Sequence, residues 1–221
     1  MNYKCNAAKH SDAKACKDIE LRHNKGICAS NQIINMLNEN FTYNYFEIAM
    51  TFRNSILVNG ILSSLEASNF LSKDHIRKIE ECDFYLMKNL FRSGSCSPIL
   101  GYYWETGAIP LGFILMGRRA NFYRDIFHKS DNEIVKAVIN LQKQFPSKHD
   151  WYQLIVNDFS RLGIDINGTE LKTYSKERFK NLIRQKLKIM TERFLLEKEP
   201  FKLSNLENYN FQEYLSSSVL K

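Results

Sequence analysis

The chain has 221 residues with 44% hydrophobic and 13% aromatic content, enough to bury a core and to make one or at most two domains. A formal charge of +7 and a pI near 9.1 point to polyanions as partners, because Lys and Arg displace counterions from phosphates. The longest apolar runs fall well short of the roughly 18 residues of a membrane span, and the polar start Met1-Asn2-Tyr3-Lys4 does not read as a secretory leader.

Only four prolines and nine glycines occur, and no stretch alternates apolar and polar residues long enough for a strand, so the pattern predicts helices throughout. A polar helix is expected from Ser11 to about Leu37, weakened or broken at Gly26. The segment from Tyr43 to Glu66 is apolar on two faces, with Phe46, Met50, Leu57, Ile61 and Leu65 on one and Ile48, Phe52 and Ile56 on the other. A helix of that kind belongs in the middle of a bundle. Ser72 is placed to cap a helix through about Phe91, with Ile76, Ile79, Leu86 and Leu90 inward.

Ser97 and Pro98 open a short helix that Gly107 closes, and Pro110 opens the next. The Pro110 helix carries Phe113, Met116, Ala120, Tyr123 and Phe127 at steps of three and four. Ser130-Asp131-Asn132-Glu133 has the form of a capping box for a helix to Phe145, stopped by Pro146. Asp150 caps another, ended by Gly163. Ser175 caps a last long helix to about Lys198, and the tail beyond Phe201 has a weak helical pattern. The fold class is therefore all-α, an irregular multi-helix bundle with a long basic C-terminal helix. It divides into a polar segment 1–40, a helical core 41–166, and the basic helix and tail 167–221.

Several short motifs follow one another in order: Lys25-Gly26-Ile27; Glu47-Ile48-Ala49 with Arg53 and Ser55; Leu65-Glu66; Ser97-Pro98; Tyr103-Trp104-Glu105-Thr106-Gly107-Ala108-Ile109-Pro110; Arg118-Arg119; and Pro146 to Trp151. Together they resemble the helical region that follows the catalytic palm in reverse transcriptases of non-LTR, LINE-type retrotransposons, over about Lys25 to Ile166. The chain departs from that pattern at Ala67-Ser68, where the family has an aromatic pair, and at His149, where it has glycine. The resemblance implies a thumb and connection region that grips a template–primer duplex through its backbone.

The same resemblance requires acidic metal ligands upstream for polymerase chemistry, and the sequence holds no Asp-Asp pair. The chain thus reads as a palm-less fragment, with no catalytic residues, no metal and no cofactor. Cys5, His10, Cys16, His23 and Cys28 lack the paired spacing of a zinc site. The five cysteines (with Cys82 and Cys96) are odd in number and irregularly spaced. They suit an intracellular protein with reduced thiols, cytoplasmic or nuclear. In that compartment the acceptor tripeptide at Asn167 is accidental.

In the last helix, Lys176, Lys180, Arg184, Lys186 and Lys188 form a basic face opposite an apolar stripe of Phe179, Leu182, Ile183, Leu187, Met190 and Phe194. These cations are the candidate contacts to RNA or DNA, weak, salt-sensitive and indifferent to sequence. Tyr102, Tyr103 and Trp104 are assigned to the core. Arg118 and Arg119 are expected to pair internally, with Glu66 or Glu105 as the partner. The rival functional class is a helical protein-interaction module without a nucleic-acid role; no membrane or small-molecule partner is called for.

Overall fold

The structure is a computed structural model that describes residues 4–39, 45–68, 71–91, 99–130, 133–147 and 150–197, with side chains described from residue 16 except at 38, 39, 45, 46 and 99. Every regular element among them is helical. In order these are α1 (Lys4–Glu39), α2 (Tyr45–Phe52), a π-helical turn (Arg53–Leu57), α3 (Val58–Leu62), a 3-10 turn (Leu65–Ala67), α4 (Lys73–Leu90), α5 (Ile99–Thr106), α6 (Leu111–Phe127), α7 (Ile134–Gln144), α8 (Trp151–Leu162), α9 (Thr169–Thr173) and α10 (Lys176–Glu197). The expected helix starts at Ser97-Pro98, the centre of the Ser130 capping box, Lys148-His149 and the tail from Phe201 lie outside the described residues.

α1 runs unbroken through Gly26, contrary to expectation. The glycine is there for contact: a Cβ at Gly26 would lie 2.7 Å from both Cys82 Sγ and Ile61 Cδ1. Its absence lets α1 lie against α4, where Ser30 Oγ donates to the Cys82 carbonyl (3.4 Å) and Tyr85 OH to Asn31 Oδ1 (2.8 Å). The apolar segment after it is helical without a break from Tyr45 to Leu62, as expected, with the π turn as a bulge within it. That wider turn carries Arg53 and Leu57 together into the core.

Arg53 is fully buried, and so is Asp83 of α4. Arg53 Nε donates to Asp83 Oδ1 (2.6 Å) and Nη2 to Oδ2 (2.5 Å), a bidentate pair. Nη2 also reaches the Ile109 carbonyl (3.0 Å), and Tyr103 OH donates to Asp83 Oδ2 (3.2 Å). The π turn, α4, α5 and the α5–α6 link therefore meet at one buried ion pair. Burial and then the charge of Asp83 hold the Tyr103 phenol well above its ordinary value, so it stays a donor.

The link itself is built from local devices. Gly107 takes φ +61°, the left-handed conformation that ends α5. Thr106 Oγ1 donates to the Tyr102 carbonyl (2.7 Å) and accepts from the Ala108 N–H (3.0 Å). Pro110 is the N-cap of α6, and Glu80 of α4 accepts from the Gly112 N–H (3.2 Å) in the first turn. A carboxylate there also favours the positive end of the helix.

Elsewhere the expected caps are met except at α7 and α8; Asp150 stands at the N-cap of α8, but its carboxylate accepts from the Ser147 N–H (2.7 Å) and makes no cap bond. Ser72 forms a capping box with His75, Ser175 Oγ accepts from the Arg178 N–H, and Gly163 ends α8 at φ +63°. α7 instead has Glu133 as its N-cap with no side-chain bond, because the Glu133 carboxylate is held by Lys129 (2.5 Å). Ile79, Leu86 and Leu90 of α4 are buried beside Leu57, Ile61, Leu111 and Leu115, and a second cluster gathers Met116, Ala120 and Tyr123 of α6 with Ile155 and Phe159 of α8 and Phe179 and Ile183 of α10.

Two outcomes follow from the buried carboxylates. Asp83→Ala strands the Arg53 charge and should cost about 3–5 kcal/mol in a urea melt, while Tyr103→Phe should cost about 1 kcal/mol. Burial raises the Glu80 carboxyl above its ordinary range, the Gly112 N–H works against this, and Asp83 adds to it. A carboxyl raised in the folded state stabilises below its unfolded pKa, and that contribution is lost as pH rises through the raised value. Glu80→Gln keeps an acceptor for Gly112 without a charge. Its stability relative to the parent should therefore improve between about pH 4 and pH 7, and a decline over that range would contradict the assignment.

Candidate nucleic-acid interface

α10 packs on α6 through Phe179, Ile183 and Leu187, all buried, with Leu182, Met190 and Phe194 half-buried beside them. The approach is close because α6 carries Gly117 at the crossing, where a Cβ would lie 2.7 Å from Leu187 Cδ1 and 3.0 Å from Ile183 Cγ2. With the apolar stripe held inward, the cations of α10 are turned toward solvent. Lys176, Lys180, Arg184 and Lys188 recur every fourth residue and form a row that winds slowly around the helix.

Most of that row is engaged locally. Lys176 Nζ lies 2.6 Å from Asp125 Oδ2. Glu177 faces both Lys180 (4.0 Å) and Arg184 (3.7 Å), and Arg184 also donates to Asn181 Oδ1 (2.9 Å). Lys186 stands off the row, donating to the Gly163 carbonyl at the end of α8 (3.3 Å). Arg178 stacks over the Tyr174 ring at 4.0 Å. These are exposed pairs worth little individually, and a phosphate can displace them at small cost. Among the described residues no acidic group lies within salt-bridge distance of Lys188.

Lys188 lines a cleft between α5 and α10 of about 420 Å³, with Tyr103, Trp104, Gly107, Thr191, Glu192, Leu195 and Leu196. Tyr102 and Tyr103 are buried as expected, but Trp104 is 53% exposed. Helix geometry explains the difference, since the third of three successive aromatics points away from the face that buries the first two. The indole wall and the Lys188 ammonium thus bound the same cleft. Sequence reading gave the row of cations and missed Trp104; its signal was the run of three aromatics on a single short helix.

The arginine pair behaves differently from expectation. Arg119 is buried and pairs with Asp158 of α8 (Nε–Oδ2 2.6 Å, Nη2–Oδ1 3.1 Å), with neither Glu66 nor Glu105. It projects from α6 to Asp158 in the middle of α8, whereas Glu66 sits on the 3-10 turn beside Trp151 at the start of α8. Burial raises the Asp158 carboxyl, opposed by the hydrogen bond and charge of Arg119. Arg118 donates to Asn59 Oδ1. Its guanidinium is lowered by burial and partly restored by the charge of Glu66, yet the two make no salt bridge. Glu66 contributes through its backbone carbonyl, which accepts from Trp151 Nε1 (2.9 Å), while its Oε2 is buried without a hydrogen-bond partner.

The cysteines also sort themselves. Burial pushes the Cys82 thiol up to about 12, with Asp83 and Glu81 adding to it, so it remains a thiol packed against Gly26. Cys16 Sγ lies 3.3 Å from His75 Nε2, and His75 Nδ1 accepts from the Ser72 N–H (3.4 Å). Residue spacing alone does not bring those two together. They are two ligands where structural zinc takes four, and no group of three or more metal-capable side chains occurs among the described residues. The side chains of Cys5 and His10 lie outside those residues, as does Cys96. No helix among the described residues is long and apolar enough to cross a membrane. No protein family, no curated protein and no solved structure compared with the chain matches it.

Proposed function

We propose that the chain binds the phosphate backbone of nucleic acid, weakly and without regard to sequence, along the row Lys176, Lys180, Arg184 and Lys188, with Lys186 at its flank. The observation that carries this reading is the cleft lined by both Lys188, which has no acidic group within salt-bridge distance among the described residues, and the exposed Trp104, with Glu192 also on its wall. A cation beside an open aromatic face is the arrangement that holds a single strand, the charge on the phosphate and the ring on a base. The reading agrees with what the resemblance to the retroelement thumb region implies. It assigns no chemistry to the chain, whose sequence offers no Asp-Asp pair to hold catalytic metals.

Direct binding measurements test it. Binding of labelled oligonucleotides should be indifferent to sequence and fall steeply with salt, and Lys180→Gln/Arg184→Gln/Lys188→Gln should weaken it while flattening the salt slope by about 2–3 units, at unchanged helix content. Trp104→Ala should cost about 1–3 kcal/mol on single strands and little on duplex. In a Trp151→Phe background, single-strand binding should quench the remaining Trp104 emission. A primed RNA template should gain no nucleotide with magnesium or manganese. Equal binding by parent and triple variant would remove α10 from the interface and leave the proposal without its site.

A further inference from the structure

The outer surface of α7 has a polarity opposite to that of an ordinary amphipathic surface helix. Ile134, Val138, Leu141 and Phe145 follow one another at steps of four, three and four, so they align in a single stripe. The stripe faces solvent: Ile134 is 81% exposed, Phe145 75%, Leu141 56%, and Val138 and the adjoining Val135 nearly half. The lysines of the helix lie on the opposite side. Lys136 Nζ donates to the Lys129 carbonyl (2.7 Å), and Lys143 Nζ stands over the Tyr152 and Tyr123 rings at 5.1 and 5.8 Å.

The roll of α7 is fixed by several contacts at once. Ile139 is buried, and Gln142 Oε1 accepts from the Tyr152 N–H (3.1 Å), serving the first turn of α8. Turning the stripe inward would break all of these. The exposed positions beside the stripe, Ala137, Asn140 and Gln144, carry no charge. The face therefore offers nothing to an anionic lipid surface or an acidic peptide, each of which needs cations flanking the apolar strip.

We infer that α7 is a self-association surface, on which the α7 of a second copy of this chain packs antiparallel about a twofold axis. The stripe is its own complement. With the axis between Ile139 and Asn140, Val138 faces Leu141 of the second copy and Ile134 faces Phe145, and no charge meets a like charge. Each chain exposes on the order of 500 Å² of apolar surface there, the scale at which a patch on a monomer marks a contact. Two such faces together cover on the order of 1,000 Å², which reaches the lower limit of a specific interface and corresponds to a weak dimer. The surface is separate from the α10 row, so this inference does not depend on nucleic-acid binding.

Sedimentation equilibrium on the full chain tests it. At about 100 µM the parent should sediment at twice the 25.9 kDa chain mass, and the dimer should persist or strengthen as salt rises, because an apolar contact in a cationic protein gains from screening. Val138→Lys and Leu141→Glu should each be monomeric with parental far-UV helicity. Mixed in equal amounts they should form a heterodimer, since the ammonium introduced in one then faces the carboxylate introduced in the other, while the second pair of positions remains apolar. Should either variant fail to fold, Val138→Gln and Leu141→Gln replace them, each expected to lose dimer. A parent that stays monomeric, or a dimer that survives both single variants, overturns the assignment to α7. Monomeric variants that do not pair on mixing overturn the antiparallel register.

Discussion

A guanidinium and a carboxylate enclosed together in the core set the terms for the rest of this fold. Arg53 and Asp83 are both at or below 1% exposure, where an unpaired charge costs several kcal/mol. Neither can be buried until its partners are in place, and those partners come from four different segments. Asp83 rides on α4 and Arg53 on the π turn, Tyr103 closes the carboxylate from α5, and the Ile109 carbonyl accepts from Nη2 while Nη1 donates to the neighbouring Asn54. The pair therefore acts as an assembly condition more than as a source of net stability. It explains why the α5–α6 link is so tightly specified, with a left-handed Gly107, a Thr106 hydroxyl bonded on both sides and Pro110 at the start of α6.

α6 then transmits that order across the molecule. Its first turn is held to α4 by Glu80, its middle pairs with α8 through Arg119 and Asp158, and its Gly117 admits α10 to close contact. One buried ion pair thus ties α6 to α8, and a carboxylate on its first-turn N–H ties it to α4. The side chains of α10 that face outward owe their positions to this frame. Filling the methyl-sized gap at Gly117 would push Leu187 and Ile183 away and shift the whole basic row with them.

What could be read from the sequence is what local chemistry decides. Caps at Ser72 and Ser175, the glycine stops at 107 and 163, and the periodicity of α4, α6 and α10 all follow from groups within a few residues of each other. What could not be read depends on distance in the chain. Nothing near Arg119 in sequence marks Asp158 as its partner, 39 residues away, and Glu66 was the wrong choice because an acid at the end of an apolar segment says nothing about which neighbour faces it. Propensity alone makes Gly26 a helix breaker, whereas the packing of α4 on α1 uses the space it leaves and α1 continues through it. The same holds for Cys16 and His75, 59 residues apart and brought together by that packing.

The segment from Tyr103 to Pro110 shows how structural and recognition roles divide along a few residues. Tyr103 is committed to Asp83, Thr106 and Gly107 to the helix end, Ile109 to Arg53 and Pro110 to the next helix. Trp104, like its exposed neighbour Glu105, has no such task in holding the fold. Three aromatics in succession on one helix cannot all face the same core, and the side that receives the third is set by α10. There α10 presents Lys188, Thr191 and Glu192 together with Leu195 and Leu196. The cleft thus lies between a mixed polar and aliphatic face of α10 and the short helix whose Tyr103 is bonded to Asp83. Under the proposed nucleic-acid reading, this cleft and not the ion-paired cations further along α10 is the place for a base, because it is lined by both an exposed indole and Lys188, which has no acidic partner within salt-bridge distance among the described residues.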